Sequence, residues 1–92
     1  MNLKDELSGD FWVFTETGSV YTVDLTHVTL CRDTFTHDLR GDGVVLELLS
    51  VVNCSVGLGA TFVVQLPNVV GPTVRLTSLV TQILVVDDVE SA

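Results

Sequence analysis

The stretch that decides the fold reads FWVFTETGSVYTVDL, from Phe11 to Leu25. Aromatic and β-branched residues fill both of its ends, and these residue types favour strands. The insert Glu16–Gly18 separates the two ends and supplies the glycine that a tight turn needs. The stretch therefore predicts a β-hairpin with strands Phe11–Thr15 and Ser19–Leu25.

The second strand of this hairpin has an alternating pattern. Tyr21, Val23 and Leu25 fall on one face of the strand, and the residues between them fall on the other. Successive side chains of a strand point to opposite faces, so one face is predicted to cover a core while the other meets water at least in part.

Short strands separated by polar turns continue through the rest of the chain. The further predicted strands are Val28–Arg32, Val44–Val52, Thr61–Leu66, Thr73–Thr77 and Val80–Val86. Val44–Val52 also fits a two-turn helix, but its valines and the neighbouring glycine favour a strand.

The whole pattern predicts one all-β domain over residues 1–92. It comprises an N-terminal segment at residues 1–9, a small antiparallel barrel or sandwich of about 6–7 strands, and an acidic tail at residues 87–92. The only predicted helix is a short N-terminal helical turn at Leu3–Leu7.

The composition limits the classes of function. Apolar residues make up 47% of the 92-residue chain and charged residues only 17%, with a mean hydropathy of +0.51. A chain of this size has little interior, so some apolar surface is expected to remain for a partner. No apolar run approaches the roughly 20 residues of a membrane span, and no secretory signal is evident. The expected location is the cytoplasm or a virion, with no membrane partner.

The charge is strongly negative. Twelve acidic residues against four basic ones give a net charge of −8. Direct nucleic-acid binding needs clustered Lys and Arg and is therefore disfavoured. The excess of acidic residues is expected to keep this apolar chain soluble. The alternative is that the acidic residues form a face that docks a basic protein or mimics nucleic acid.

Two predicted strands, Val44–Val52 and Val80–Val86, carry apolar residues on both faces. A strand in a small two-layer fold turns only one face to the core, so the other face needs a cover. A partner protein or a second copy of the chain is the expected cover, and tight closure of the fold on itself is the alternative. The candidate interface residues are Trp12, Val45, Leu49, Val51, Leu84 and Val86.

A polar loop is predicted at Asp33–Gly43. Its acids and histidine could hold a divalent cation or support acid–base chemistry, but their spacing fits no calcium loop, and a solvated loop is the prediction. Catalytic motifs are absent from the sequence, so a non-enzymatic chain without metal or cofactor is expected. The two cysteines, Cys31 and Cys54, are predicted to be buried free thiols, with a single disulfide bridge as the alternative. The candidate residues of the loop are Asp33, His37, Asp38, Arg40 and Asp42.

Several short motifs resemble those of small uncharacterised all-β proteins of actinobacteria and actinobacteriophages. They are Trp12–Thr15, Gly18–Ser19, Tyr21, Val23–Leu25, Arg32, Leu39–Arg40, Asp42–Gly43 and Arg75–Val80. The resemblance covers most of the chain and brings no catalytic residues. It implies a phage or actinobacterial context, with a role as a virion component or as an early phage protein that binds a host factor.

The leading functional hypothesis is a non-enzymatic interaction or assembly module that self-associates. The first alternative is an acidic inhibitor that binds a basic host protein or mimics nucleic acid. The second is a β-barrel that sequesters a small ligand beside the Asp33–Gly43 loop.

Overall fold

The fold is all-β, as predicted. The computed structural model describes residues 1–34 and 45–86, with only the backbone described at positions 33 and 34. A short 3₁₀ turn at Leu3–Asp5 precedes the strands. The strands are β1 (Asp10–Thr15), β2 (Ser19–Asp24), β3 (Thr29–Thr34), β4 (Val45–Asn53), β5 (Gly59–Gln65) and β6 (Thr73–Val85).

The strands form a single antiparallel sheet that closes on itself. Each strand pairs with the next along the chain, and β6 pairs with β1 as well as with β5. The length of β6 makes this possible, because its first half lies along β5 and its second half along β1. Closure leaves the sheet as a ring with one face turned inward.

The core fills the inside of this ring. Inward positions alternate with outward ones along β1, where Phe11 and Val13 are buried and Trp12 between them is exposed. Phe62 is fully buried on β5, and the ring of Tyr21 lies against it with centroids 6.0 Å apart. The other core residues are Leu3, Val23, Leu30, Leu48, Cys54, Ala60, Val64 and Val80.

The N-terminal turn covers one part of this core. Leu3 is 1% exposed, and its backbone N–H donates to the carbonyl oxygen of Cys54 at 3.0 Å. The side-chain oxygen of Asn2 accepts from the N–H groups of Lys4 and Cys54, at 3.1 and 2.9 Å. These bonds tie the start of the chain to the end of β4, which keeps Leu3 in the core.

Most local predictions are confirmed. The hairpin forms, and Gly18 adopts a φ of +94° in its turn, a conformation that glycine takes readily. The segment that fitted either a helix or a strand is strand β4. Tyr21, Val23 and Leu25 all belong to or pack against the core, as the alternation predicted.

Three predictions on the strands are wrong. The separate strands Thr73–Thr77 and Val80–Val86 are one continuous strand, β6. Val28 does not begin β3, because it lies in the preceding turn with a φ of +59°. Asp33 belongs to β3, opposite Val20, and not to a loop.

Candidate functional site

A row of outward-facing residues, four of them apolar, runs round five strands of the closed sheet. Trp12 lies opposite Leu84 on β6 and Thr22 on β2, and the row continues through Cys31 to Val45. Residues directly opposite each other in neighbouring strands share a face, with Cβ atoms about 4.5–5.5 Å apart. We call these five residues the Trp12 surface.

The Trp12 surface is open to solvent. Trp12 is 44% exposed, Leu84 38% and Val45 61%, while Thr22 and Cys31 are half-buried. Trp12, Cys31 and Val45 lie opposite in parity to the buried residues of the same strands, so the core cannot shelter them. Trp12 and Leu84 are neighbours, and adjoining exposed apolar groups are typical of a binding surface.

A row of carboxylates runs beside the Trp12 surface. Asp10 lies opposite Asp24, which lies opposite Thr29, which in turn lies opposite Glu47. Each of these residues is two positions along its strand from a member of the Trp12 surface, or about 6.8 Å. We call Asp10, Asp24 and Glu47 the carboxylate row.

Asp24 is held in place by the turn that follows β2. One carboxylate oxygen accepts from the backbone N–H of His27 at 2.9 Å, and the other lies 2.8 Å from Nδ1 of the His27 ring. Asp10 is hydrogen-bonded to Asp24 as well. The contact is therefore a turn cap with a side-chain pair.

These contacts shift both pKa values. Burial acts to raise the pKa of Asp24, but the hydrogen bonds with His27 and Asp10 outweigh it, so the pKa falls below the ordinary 3.8. The hydrogen bond to Asp24, followed by its charge, raises the pKa of His27 above the ordinary 6.5. Asp24 and His27 are therefore both charged between pH 3.8 and 6.5.

A second apolar surface covers the outer side of β4, β5 and the first half of β6. Val63 on β5 lies opposite Val74 on β6, and Leu76 lies two residues further along β6. Leu49 and Val52 extend it across β4, each at an irregularity in the pairing with β5. Leu76 is 72% exposed and Val74 59%. We call these five residues the Leu76 surface.

Four of the six predicted interface residues are exposed. They are Trp12, Val45, Leu49 and Leu84. Val51 is half-buried and packs against the core. The bulge between Leu48 and Ser50 explains this orientation, because the extra residue reverses the alternation and turns Val51 inward. Val86 is half-buried, and its N–H donates to the carbonyl oxygen of Asp10 at 2.9 Å.

Four residues of the Leu76 surface were not predicted as interface residues: Val52, Val63, Val74 and Leu76. The alternation of Val74 and Leu76 against Arg75 was visible in the sequence. Which face of β6 lies outward depends on its pairing with β5, which the sequence does not specify.

The two cysteines are free thiols in different surroundings. Cys54 is fully buried, and desolvation raises the pKa of its thiol to about 11. Cys31 is half-buried on the outer face, within the Trp12 surface. The prediction of free thiols is confirmed for both, and full burial only for Cys54.

A cleft of about 280 Å³ lies at the end of the carboxylate row. Its lining residues are Ser8, Gly9, Asp10, Thr26, His27 and Val86. Among residues 1–34 and 45–86, no group of three or more His, Cys, Asp or Glu side chains is placed to hold a metal ion. The predicted loop residues His37, Asp38, Arg40 and Asp42 lie outside the described residues.

A search for transmembrane helices in the described part of the chain finds none that is long and apolar enough to cross a membrane. No protein-family model matches the chain, and neither a curated protein nor a solved structure matches it significantly. The proposed function therefore depends on the fold and on its two exposed apolar surfaces.

Proposed function

We propose that this chain is a non-enzymatic protein-interaction module that self-associates through the Leu76 surface. The observation that carries the proposal is a set of uncharged apolar side chains across three neighbouring strands, exposed on β4 and β6 and half-buried at Val63 on β5. Removing such groups from water stabilises a complex by roughly 25 cal/mol per Å² of apolar area, before the costs of association.

The lack of carboxylates in the Leu76 surface favours a second copy there over a charged partner. Two copies with a charge of −8 each repel one another, so close approach requires a surface without carboxylates. The Leu76 surface meets that requirement, because Glu47 lies beyond it on β4. A two-fold dimer would place the same apolar residues of both copies against each other.

Closure of the sheet determines how the copies would meet. Every strand already pairs with a neighbour on each side, so a second copy would pack face to face and would not extend the sheet. A stable interface buries about 800 Å² of each partner, which is more than five side chains supply. Association is therefore expected to be weak and to depend on concentration. Given the resemblance to small β proteins of actinobacteria and their phages, the proposal includes assembly in a virion or accessory complex.

The test measures molar mass by light scattering over a wide range of protein concentration. The mass should rise above the monomer value of 9.9 kDa as concentration increases. The variant Leu76→Glu should remain monomeric, because it places a carboxylate in the apolar contact. Leu7→Glu is the matched control, since Leu7 is 94% exposed and lies outside both surfaces. A wild-type mass of 9.9 kDa at every concentration would refute the proposal.

A further inference from the structure

Two arginines occupy inward positions of the closed sheet and are nevertheless exposed. Arg75 on β6 lies directly opposite Phe62 on β5, which is fully buried. Arg32 on β3 lies directly opposite Tyr21 on β2, whose ring packs against the core. Directly opposite residues share a face of the sheet, so both arginines start on the inner face. Because both are exposed, the inside of the sheet opens to solvent at these positions.

The two arginines flank a single aromatic contact. The rings of Tyr21 and Phe62 lie 6.0 Å apart and are inclined at 39°. Each arginine begins one strand away from one of these rings, with Cβ atoms about 4.5–5.5 Å apart. The aromatic contact therefore joins the two arginines into one opening of the fold. We call Tyr21, Arg32, Phe62 and Arg75 the arginine mouth.

No described carboxylate neutralises the arginine mouth. The only ion pair among the described residues joins Asp24 and His27. Arg32 donates from Nε and Nη2 to the hydroxyl of Ser19, at 3.4 and 3.3 Å, and this partner is neutral. Arg75 has no hydrogen bond with any residue in the ranges 1–34 and 45–86. Two of the four basic residues in a chain of net charge −8 therefore form a local excess of positive charge.

The hydroxyl of Tyr21 adds a polar group to the mouth. It makes no hydrogen bond within the described part of the chain. No side-chain oxygen or nitrogen of the described residues is buried without a hydrogen-bond partner, so this hydroxyl reaches solvent. A ligand in the mouth would meet two guanidinium groups, one hydroxyl donor and an aromatic ring.

We propose that the arginine mouth binds a small ligand that consists of a planar ring with a phosphate group. The planar guanidinium of arginine matches the geometry of phosphate oxygens and also stacks on aromatic rings. A phosphate monoester carries nearly two negative charges at pH 7, which the two arginines balance. The phosphate accepts hydrogen bonds from Arg32 and Arg75, and the ring packs on Tyr21. This site is separate from the Leu76 surface, so the inference does not depend on the proposed function.

The net charge favours a small ligand over a nucleic-acid strand. A strand carries phosphates beyond the mouth, where they would meet the negative charge of the rest of the chain. A single phosphate monoester meets the arginines alone. The proposal therefore commits to a small molecule.

The experiment places one fluorine label inside the mouth and one outside it. Tyr21 is the only tyrosine and Trp12 the only tryptophan, so 3-fluorotyrosine and 5-fluorotryptophan each give one ¹⁹F NMR signal. The labelled protein is titrated with phenyl phosphate at one low protein concentration, which keeps any self-association constant. We expect a saturable shift of the Tyr21 signal, while the signal of Trp12 on the outer face stays in place.

Three further ligands test each part of the recognition. Phenol has the ring without the phosphate, inorganic phosphate has the anion without the ring, and benzoate has a ring with one negative charge. Each should bind at least about threefold more weakly than phenyl phosphate. Equal affinity for any of them would overturn the proposal, as would a Tyr21 signal that does not move at millimolar phenyl phosphate. Tighter binding of a single-stranded oligothymidylate would assign the mouth to nucleic acid and would also overturn it.

Matched variants locate the ligand. Arg75→Gln should weaken binding of phenyl phosphate about three- to tenfold, because it removes one charged hydrogen bond. Arg75→Lys keeps the charge but not the planar fork and should lie between Arg75→Gln and the wild type. Lys4→Gln removes the same charge in the N-terminal turn, outside the mouth, and should leave the affinity unchanged. Equal losses in Lys4→Gln and Arg75→Gln would mean attraction to the net charge alone and would refute the site.

Arg32→Gln should weaken binding to a similar extent. Arg32 also bonds to Ser19, so circular dichroism and an unchanged Trp12 signal must show that this variant is folded. Arg75 has no such described contact, and its variants test the proposal even if Arg32→Gln does not fold.

The Arg75→Gln variant also separates this inference from the proposed function. Arg75 lies on the inner face and the Leu76 surface on the outer one, so the variant should self-associate like the wild type while it binds phenyl phosphate less tightly. A wild-type chain that stays monomeric but binds phenyl phosphate at Tyr21 would refute only the proposed function. A chain that self-associates without binding phenyl phosphate would refute only this inference.

Discussion

The turn between β2 and β3 stores backbone strain that a single substitution should release. Val28 has a φ of +59°, a left-handed conformation that is unusual for any residue with a side chain and especially for a β-branched one. Its carbonyl oxygen accepts from the N–H of Leu48 at 2.8 Å, which holds the turn against β4. That bond uses only the backbone of Val28 and survives a change of side chain.

The variant Val28→Asn should be more stable than the wild type. The left-handed conformation costs an ordinary residue about 1–2 kcal/mol, and asparagine tolerates it far better. The Val28 side chain is 46% exposed and otherwise packed, so losing its contacts costs roughly half to one kcal/mol. This cost offsets part of the gain. The net gain of about 1 kcal/mol should raise Tm by about 4–8 °C in a domain of this size.

A reciprocal substitution provides the control. Asn68 has a φ of +64° in the turn before β6 and is exposed. Asn68→Val should therefore lower the free energy of unfolding by about 1–2 kcal/mol. Val70→Asn, at a fully exposed position without positive φ, should change it by less than about 0.5 kcal/mol. The assay is urea unfolding followed by circular dichroism. An unchanged or lower stability of Val28→Asn, with Asn68→Val neutral, would refute the reasoning.

Two further predictions concern the thiols and the turn cap. In native buffer near neutral pH, a thiol reagent should label Cys31 and leave Cys54 unlabelled until the protein unfolds, because Cys54 is buried and its pKa is about 11; rapid labelling of native Cys31→Ser would contradict this. Asp24→Asn should lower Tm most between pH 3.8 and 6.5, where Asp24 and His27 are both charged. The folded pKa of Asp24 is lowered, so its contribution is present above pH 3.8 and is lost as pH falls through the folded value. The folded pKa of His27 is raised, so its contribution is present below pH 6.5 and is lost as pH rises through the folded value. A Tm difference independent of pH would contradict the assignment.

The local alternation of the sequence was sufficient to predict the fold class. The β1–β2 hairpin followed from its aromatic and β-branched ends and from Gly18, which are short-range features. The continuity of β6 did not follow: two strands were predicted, with Ser78 and Leu79 between them. In the fold, Ser78 lies where β6 passes from β5 to β1, and its hydroxyl lies 3.0 Å from that of Thr17.

The candidate site was only partly predictable. Val45 and Leu84 were identified as interface residues because their strands are apolar on both faces, and Trp12 because tryptophan is common in binding hot spots. Their arrangement in one row depends on cross-strand register, which is a long-range property. Val51 shows this limit most clearly. Simple alternation along β4 would turn its side chain outward, but one bulge on β4 turns it inward.

The single strand β6 carries Leu76 of one surface and Leu84 of the other, eight residues apart. In an extended strand that separation is about 26 Å and is set by the backbone. A dimer joined through the Leu76 surfaces would therefore display two tryptophan sites on a rigid frame. A ligand with two groups that contact these tryptophans at matching distance would gain avidity, because binding the first group raises the effective concentration of the second.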